Sequence, residues 1–420
     1  MRGPPPRDKT AAGTTKDNLM PERPILRLAA CVAAMMIAAA PAAAQNASDP
    51  VVMMSRAAEL SQSGKAAEAL PIAQQALALL EKQRGPDHPD VGSALTYVGL
   101  LNQQLGRTKE AEALYLRALA IRQKALGADH ADVAVTAENL AILYRATGRR
   151  DEAELLFKRA LAINEKAHGA DHPAVAATAG GLAALYQEAG RQRDAEPLYQ
   201  RALAIREKAY GPGHPHVAIT LVTLGELYRT TGRLTEAEPL FKRAQTISEK
   251  AFGPDHPDVA TALQELAMTY WVQNRIDEVE PLFQRTLAIR EKAFGQDHPA
   301  VAQTLNTIAA FYRDQGRHSD SEPYFKRVLA MYEKALGPDH PGVATSLNNL
   351  AVLYQEMGRP VDAEPLAKRA LAIREKSFGP NNPQLINTMH NLAELYRTLG
   401  RDAEADALAK RAEAIKQKNR

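Results

Sequence analysis

LGPDHPGVA, running from Leu336 to Ala344, sets an aspartate, a histidine and a proline in a row behind a glycine, and relatives of this stretch recur along the chain. The glycines that open them are Gly85, Gly127, Gly169, Gly211, Gly253, Gly295, Gly337 and Gly379, each 42 residues after the last. Asp-His-Pro is intact behind five of them and altered at Asp129-His130-Ala131, Gly213-His214-Pro215 and Asn381-Asn382-Pro383. A second series at Gly106, Gly148, Gly190, Gly232, Gly316, Gly358 and Gly400 keeps the same period, with Asn274 in the one vacant place. Two such marks per period delimit two segments, and a fixed period of this length signals a stacked repeat.

The unit from Pro341 to Arg374 serves as the type. Leu347, Leu350, Ala351 and Tyr354 fall at the i, i+3, i+4, i+7 spacing of a helix, which Gly358 then ends. Ala363, Leu366, Ala370, Leu371 and Ile373 mark one face of a second helix, on whose other face Glu364 precedes Lys368 by four residues, the favourable order for a helix ion pair. Each unit is therefore expected to be an antiparallel helical hairpin. Small residues recur where the two helices must approach, at Ala141, Ala183, Gly225, Ala267, Ala309, Ala351 and Ala393 on the first and at Ala111, Ala153, Ala195, Ala237 and Ala363 on the second. Prolines at Pro197, Pro239, Pro281, Pro323 and Pro365 fall early in the second helix, where a lost hydrogen bond costs least.

This order of small residue, tyrosine, glycine and alanines resembles the tetratricopeptide repeat, whose standard unit is about 34 residues. The added residues lengthen the second helix and its loop (Leu287 to Pro299), in which the chain is similar to the repeats of kinesin light chains and their bacterial relatives. The resemblance runs over about residues 50 to 418, without the heptad coiled coil of kinesin light chain itself. It implies an all-α, right-handed superhelix of hairpins, a tetratricopeptide-type α-solenoid over residues 45–420 with about nine helix pairs and no separate catalytic domain. Such hairpins bury their apolar faces only by stacking, so end units must differ. Arg56 stands where Leu350 would be, and Glu413 replaces the equivalent of Leu371, as expected of solvated ends.

The triplet has a chemical and a structural reading. An aspartate or asparagine before a helix accepts N–H bonds from its first turn, and a proline in that turn has no N–H to waste. On this reading Asp339 and Pro341 open the helix and His340 packs or hydrogen-bonds across the loop. A metal or acid–base site needs ligands converging within about 2 Å of one ion, whereas equivalent histidines are separated by packed helices spaced roughly 8–10 Å apart. The triplet is therefore read as a helix start signal. A metal-dependent enzyme built on the row remains the rival reading, without support from a Gly-rich phosphate loop, nucleophile elbow, HExxH or CxxC pattern. No metal or other cofactor is implied.

In tetratricopeptide arrays the first helices line a concave groove that holds peptides or partner helices. Carried onto the type unit, the resemblance puts Asn348, Asn349 and Gln355 in that groove, with asparagines also at Asn139 and Asn391 in the place of Asn349. The place of Gln355 alternates arginine with other residues, giving Arg145, Arg229, Arg313 and Arg397, and holds the sole tryptophan, Trp271. Asparagine amides suit a peptide backbone and a ladder of arginines suits carboxylates. The plain alternative pairs these arginines with Glu188, Glu226, Asp314, Glu356 and Glu394 of the fold itself. Trp271 is read either as a binding hot spot or as packing at a repeat junction. The carboxylate clamp of chaperone-binding tetratricopeptide domains, with Lys/Asn pairs at i, i+4, is not present. The implied function is a non-enzymatic scaffold for a protein or peptide partner, with a receptor for a short signalling peptide as the alternative.

The 420 residues are 45% hydrophobic and only 5% aromatic, favouring closely packed helices. The formal charge is +3, but removing the six basic and three acidic residues of the first 44 leaves 46 of each. That balance gives no electrostatic footprint for nucleic acid. Residues 1–44 read as an N-terminal extension and signal peptide: Arg23 and Arg27, an apolar run from Leu28 to Ala40, and a cleavage site after Ala44, with Met20 as the expected true start. The run is too short for a stable membrane span. Export to the periplasm or beyond the cell is expected, with the single cysteine, Cys31, in a lipoprotein-box-like context as the alternative.

Overall fold

The structure, a computed structural model, describes residues 49–418. The expected start at Met20, the cleavage site after Ala44 and Cys31 lie outside the described residues. Those described form eighteen α-helices, one 3-10 turn and no strand. They run as hairpins: α1 (Pro50–Gln62) with α2 (Ala66–Arg84), α3 (Pro89–Gln104) with α4 (Thr108–Leu126), α5 (Ala131–Ala146) with α6 (Arg150–His168), α7 (Pro173–Glu188) with α8 (Gln192–Tyr210), and α9 (Pro215–Thr230) with α10 (Leu234–Phe252). There follow α11 (Pro257–Val272) with α12 (Ile276–Phe294), α13 (Pro299–Asp314) with α14 (His318–Leu336), α15 (Pro341–Glu356) with α16 (Pro360–Phe378), and, after the 3-10 turn Pro383–Leu385, α17 (Ile386–Thr398) with α18 (Asp402–Lys418). The chain divides inside α10 into two compact units, one up to Arg243 and one from Ala244.

Local chemistry explains the regular hairpins. Gly148, at φ +78°, ends α5, while the N–H of Arg149 reaches back to the carbonyl of Tyr144 at 2.8 Å, the wrap of a Schellman-type stop. Asn274 adopts φ +62° to do the same after α11, the single non-glycine residue among the described ones with positive φ. Prolines occupy the sixth position of α2, α8, α10, α12, α14 and α16, where a single backbone bond is lost.

The loop triplet behaves differently from the expectation in one respect. The cap is the histidine, not the aspartate. Nδ1 of His88, His130, His172, His214, His256, His298 and His340 each accepts the backbone N–H two residues on, and Asn382 caps the last unit with its Oδ1. The aspartate instead swings outward to a lysine near the end of the same hairpin, as in Asp87 with Lys124 at 2.6 Å and Asp339 with Lys376 at 2.5 Å. Imidazole in the next position takes the first-turn N–H in its place, whether or not an aromatic precedes it; where one does, the rings also stack, with Phe252–His256 and Phe294–His298 centroids 4.3 and 4.6 Å apart.

In the N-terminal unit the core is filled by Leu95, Tyr115, Leu140 and Phe157, all buried. Glycines admit the rings: a Cβ on Gly99 would stand 2.8 Å from Tyr115, and one on Gly181 would stand 2.7 Å from Phe157. In the C-terminal unit Phe283, Phe311 and Phe325 fill the equivalent space. The final helix, α18, buries Ala405, Ala412 and Ile415 and leaves Glu413 exposed. Most other charges join hairpin to hairpin. Arg149 lies 3.7 Å over the Tyr144 ring and pairs with Glu112 of the preceding hairpin at 2.6 Å, a device repeated at Arg191 and Arg233.

Candidate partner-binding surface

Successive first helices pack side by side, α3 on α5 and α5 on α7 in the N-terminal unit and α15 on α17 in the C-terminal unit. Second helices meet through the ends of long side chains, in ion pairs such as Arg201–Glu165 and Arg369–Glu333, both 2.6 Å. Within each unit the first helices therefore form the tighter wall, and its side chains are the candidate surface.

In the N-terminal unit, Asn139 is withdrawn from this wall: it is 3% exposed and its Nδ2 donates to the Val135 carbonyl at 2.9 Å. An amide so placed caps its own helix turn and presents nothing to a partner. Arg145 stands on the wall with Nε 3.7 Å from Glu188 Oε1 on the next first helix. Arg229, one place after Tyr228 on α9, is partly buried. Gln103 and Gln187, in the same place of their units, accept the hydroxyls of Tyr115 and Tyr199 at 3.0 Å.

In the C-terminal unit Trp271 sits at a junction between hairpins. Its ring meets Phe311 edge-on at 5.6 Å and its indole N–H donates to Asp314 at 2.9 Å, yet one side of the residue stays open to solvent. Arg313 pairs with Glu356 at 3.8 Å, and Arg397 with Asp406 at 3.5 Å. Asn391 donates to Asn348 across the helix boundary at 3.1 Å. Asn349 and Gln355 are half-buried and form no side-chain hydrogen bond among the described residues. The structure thus brings Trp271 with Arg313, and Asn348 with Asn391, onto one wall, while Arg145, Arg313 and Arg397 have acidic neighbours. Those pairs are long and partly exposed, so each contributes roughly 1 kcal/mol or less.

One residue on the wall escaped the sequence reading. Glu138, on α5 beside Asn139, has its carboxyl enclosed between helices, bonded to Thr178 Oγ1 of α7 at 3.2 Å. Burial pushes its pKa up to about 7, against the opposing pull of the Thr178 hydrogen bond and of Arg206. No repeat rule marks it in the sequence, since its position varies from unit to unit and its equivalents include Gln264, Asn306 and Asn348.

Among the described residues no three His, Cys, Asp or Glu side chains gather as they would around a metal ion, and no helix is long and apolar enough to cross a membrane. The tetratricopeptide repeat family model matches residues 52–124, 90–166, 156–208, 194–250, 216–292, 300–376 and 351–418. No curated protein matches the chain. Among solved structures, the tetratricopeptide-like repeats of a putative kinesin light chain from Podosopora anserina are similar at 26% identity, covering 49% of this chain and 98% of that one with a TM-score of 0.45. The apo quorum sensor NprR from B. thuringiensis is similar at 14% identity over 77% of this chain and 87% of that one, TM-score 0.60. A Rap protein complexed with Competence and Sporulation Factor is similar at 14% identity over 88% and 98%, TM-score 0.54.

Proposed function

Because the chain belongs to the tetratricopeptide repeat family, we propose that it is a non-enzymatic scaffold whose first-helix walls hold a protein or peptide partner. One observation carries this reading: the fold spends its conspicuous polar groups on itself, the histidines as caps and the loop aspartates on lysines, yet leaves Asn349 and Gln355 unbonded on one wall beside long arginine pairs. Such amides offer donor and acceptor together and match an extended backbone. The same loop bonds give the Asp-His-Pro row a structural use, the histidine Nδ1 in the cap and the aspartate on a lysine. The basic, apolar and small-residue order between Arg23 and Ala44 supports export, so that the partner would be met in the periplasm or outside the cell.

A photo-crosslinking side chain placed at Gln355 tests the reading against one placed at Val361, which is 73% exposed on the second helix. Capture of a discrete partner from Gln355 alone is expected; equal capture from both positions, or from neither, removes the wall from the account. A second reading, a receptor for a short signalling peptide, draws on the Rap fold complexed with Competence and Sporulation Factor. It differs in extent, because a short peptide needs only a few neighbouring hairpins, and crosslinks confined to one unit would favour it.

A further inference from the structure

One position of the second helix alternates regularly along the chain. Arg122, Arg206, Arg290 and Arg374 stand 84 residues apart, while the alternate hairpins place Asn164, Ser248, Tyr332 and Lys416 there. The C-terminal unit shows what the alternation does. Arg290 of α12 reaches between first helices, donating to Gln264 of α11 at 2.5 Å and to Thr304 of α13 at 2.6 Å. Arg374 of α16 repeats this for the next pair, donating to Thr345 of α15 at 3.1 Å, to Thr388 of α17 and to the Gln384 carbonyl. Each guanidinium ties the first helix of its own hairpin to the first helix of the following one. A planar fork of charged donors fixes both the separation and the rotation of the helices it bridges.

Between these two bridges, at the junction of α13 and α15, the same place holds Tyr332. It packs with Leu329 against the apolar cluster of Val343, Ala344, Leu347, Ala370 and Ile373. Apolar contact is non-directional and lets packed helices slide by small steps. The ion pair that joins second helices does not set this junction apart, since Arg369–Glu333 has counterparts in Arg327–Glu291 and Arg411–Glu375 on either side. Two other links do differ. Arg359 lies 3.3 Å from Glu322, whereas Arg317–Glu280 and Arg401–Glu364 close to 2.7 and 2.6 Å. On the wall, Glu356 of α15 is held by Arg313 of α13 at 3.8 Å and by His318 of α14 at 3.7 Å, long and partly exposed pairs worth about 1 kcal/mol or less each.

We propose that the C-terminal unit is jointed. Arg290 makes one stiff pair of hairpins, α11 to α14, Arg374 makes another, α15 to α18, and the two shear against each other at the loop between α14 and α15, with Glu356 as the latch on the wall. In a stacked repeat each hairpin answers mainly to its neighbours, so the array yields at its least directional junction. A change in the spacing of first helices is therefore concentrated between α13 and α15. This puts the adjustable part of the wall beside Arg313, and it rests on the side-chain bonds alone, apart from the scaffold reading.

The test uses the full chain with its one cysteine replaced (Cys31→Ser) and nitroxide labels at exposed, equivalent places near the start of the second helices. Asp277→Cys with Ser319→Cys spans the Arg290 junction, Ser319→Cys with Val361→Cys spans the Tyr332 junction, and Val361→Cys with Ala403→Cys spans the Arg374 junction. Dipolar broadening of the spin-label spectrum is expected to give a distance distribution about twofold wider for the middle pair than for the outer two. Arg374→Met should widen the last pair to match the middle one. Tyr332→Arg should narrow the middle pair, because Gln303 and Ser346 already stand in the places of Thr345 and Thr388 as acceptors. Glu356→Gln releases the latch and should widen the middle pair further while leaving the outer two as they were. Three equal widths in the labelled chain, or a last pair whose width Arg374→Met leaves unchanged, would overturn the joint. If Tyr332→Arg does not fold, the Arg374→Met comparison still decides.

Discussion

Nδ1 of His340 accepts the backbone N–H of Gly342 at 3.0 Å, holding the first turn of α15 by an imidazole lone pair. The same lone pair is in use at His172, where the N–H of Ala174 lies at 3.2 Å. Protonation converts that acceptor into a donor and breaks the cap. At His172 burial, with His168 stacked at 4.4 Å, holds the pKa below its usual value. A histidine depressed in the folded state contributes stability that is whole above its unfolded pKa, about 6.5, and is lost as pH falls through the folded one. The thermal midpoint is therefore expected to drop on acidification from pH 7 to 5. His172→Asn, which caps as Asn382 does, should flatten that slope in melts followed by circular dichroism; an unaltered slope would show that the caps are not the titrating element.

Asp339 and His340 are neighbours with separate duties, one bonded to Lys376 and the other to Gly342. His340→Ala should cost about 1 kcal/mol, the usual loss of a helix cap. Asp339→Ala breaks an ion pair between exposed groups and should leave the urea midpoint unmoved. The reverse ranking would restore the aspartate as the cap.

Gly180 and Gly181 are adjacent and should respond to alanine with opposite signs. Gly180→Ala adds a methyl to open space in a helix interior and should stabilise by about 0.5–1 kcal/mol. Gly181→Ala drives a methyl against Phe157 at 2.7 Å and should destabilise by about 1–3 kcal/mol. Denaturant midpoints of the two variants, compared at equal slope, give the answer directly.

The hairpins were legible because the two glycine series state a positive φ that the backbone requires, and the apolar spacing between them states a helix. The cap was misread because an aspartate beside a helix is the commoner acceptor; here the aspartate bonds a lysine 37 residues on, a partner no local pattern announces, and the histidine one place later takes the first turn. The wall was legible only as positions. Whether Asn139 faces a partner or its own helix depends on a side-chain torsion, and whether Arg313 is free depends on Glu356, 43 residues later. Glu138 was overlooked because a lone glutamate on a helix is ordinary and its position varies from unit to unit.

Asn274 stands where the eight other hairpins place a glycine, at φ +62°. Left-handed backbone costs an L-residue about 1 kcal/mol or more, with asparagine the most tolerant. Asn274→Gly should raise the stability of the C-terminal unit by roughly 0.5–1 kcal/mol. A drop in the melting temperature would mean that the asparagine side chain makes a contact worth more than the strain.

Trp271 reports on the C-terminal wall. Its ring packs on Phe311 and its N–H is held by Asp314, so the indole is fixed but open on one side, beside Arg313. In the free protein acrylamide should quench its emission partially, between the limits of a buried and a free indole. A peptide bound along α11 and α13 would cover the open side, reducing quenching and shifting emission to the blue, and Arg313→Ala should weaken the binding that produces this change. Asp314→Asn keeps an acceptor for the indole and should leave the spectrum of the free protein nearly intact. If a partner binds with full affinity while quenching stays as in the free protein, the tryptophan is a packing element of the α11–α13 junction and the binding wall lies elsewhere on the first helices.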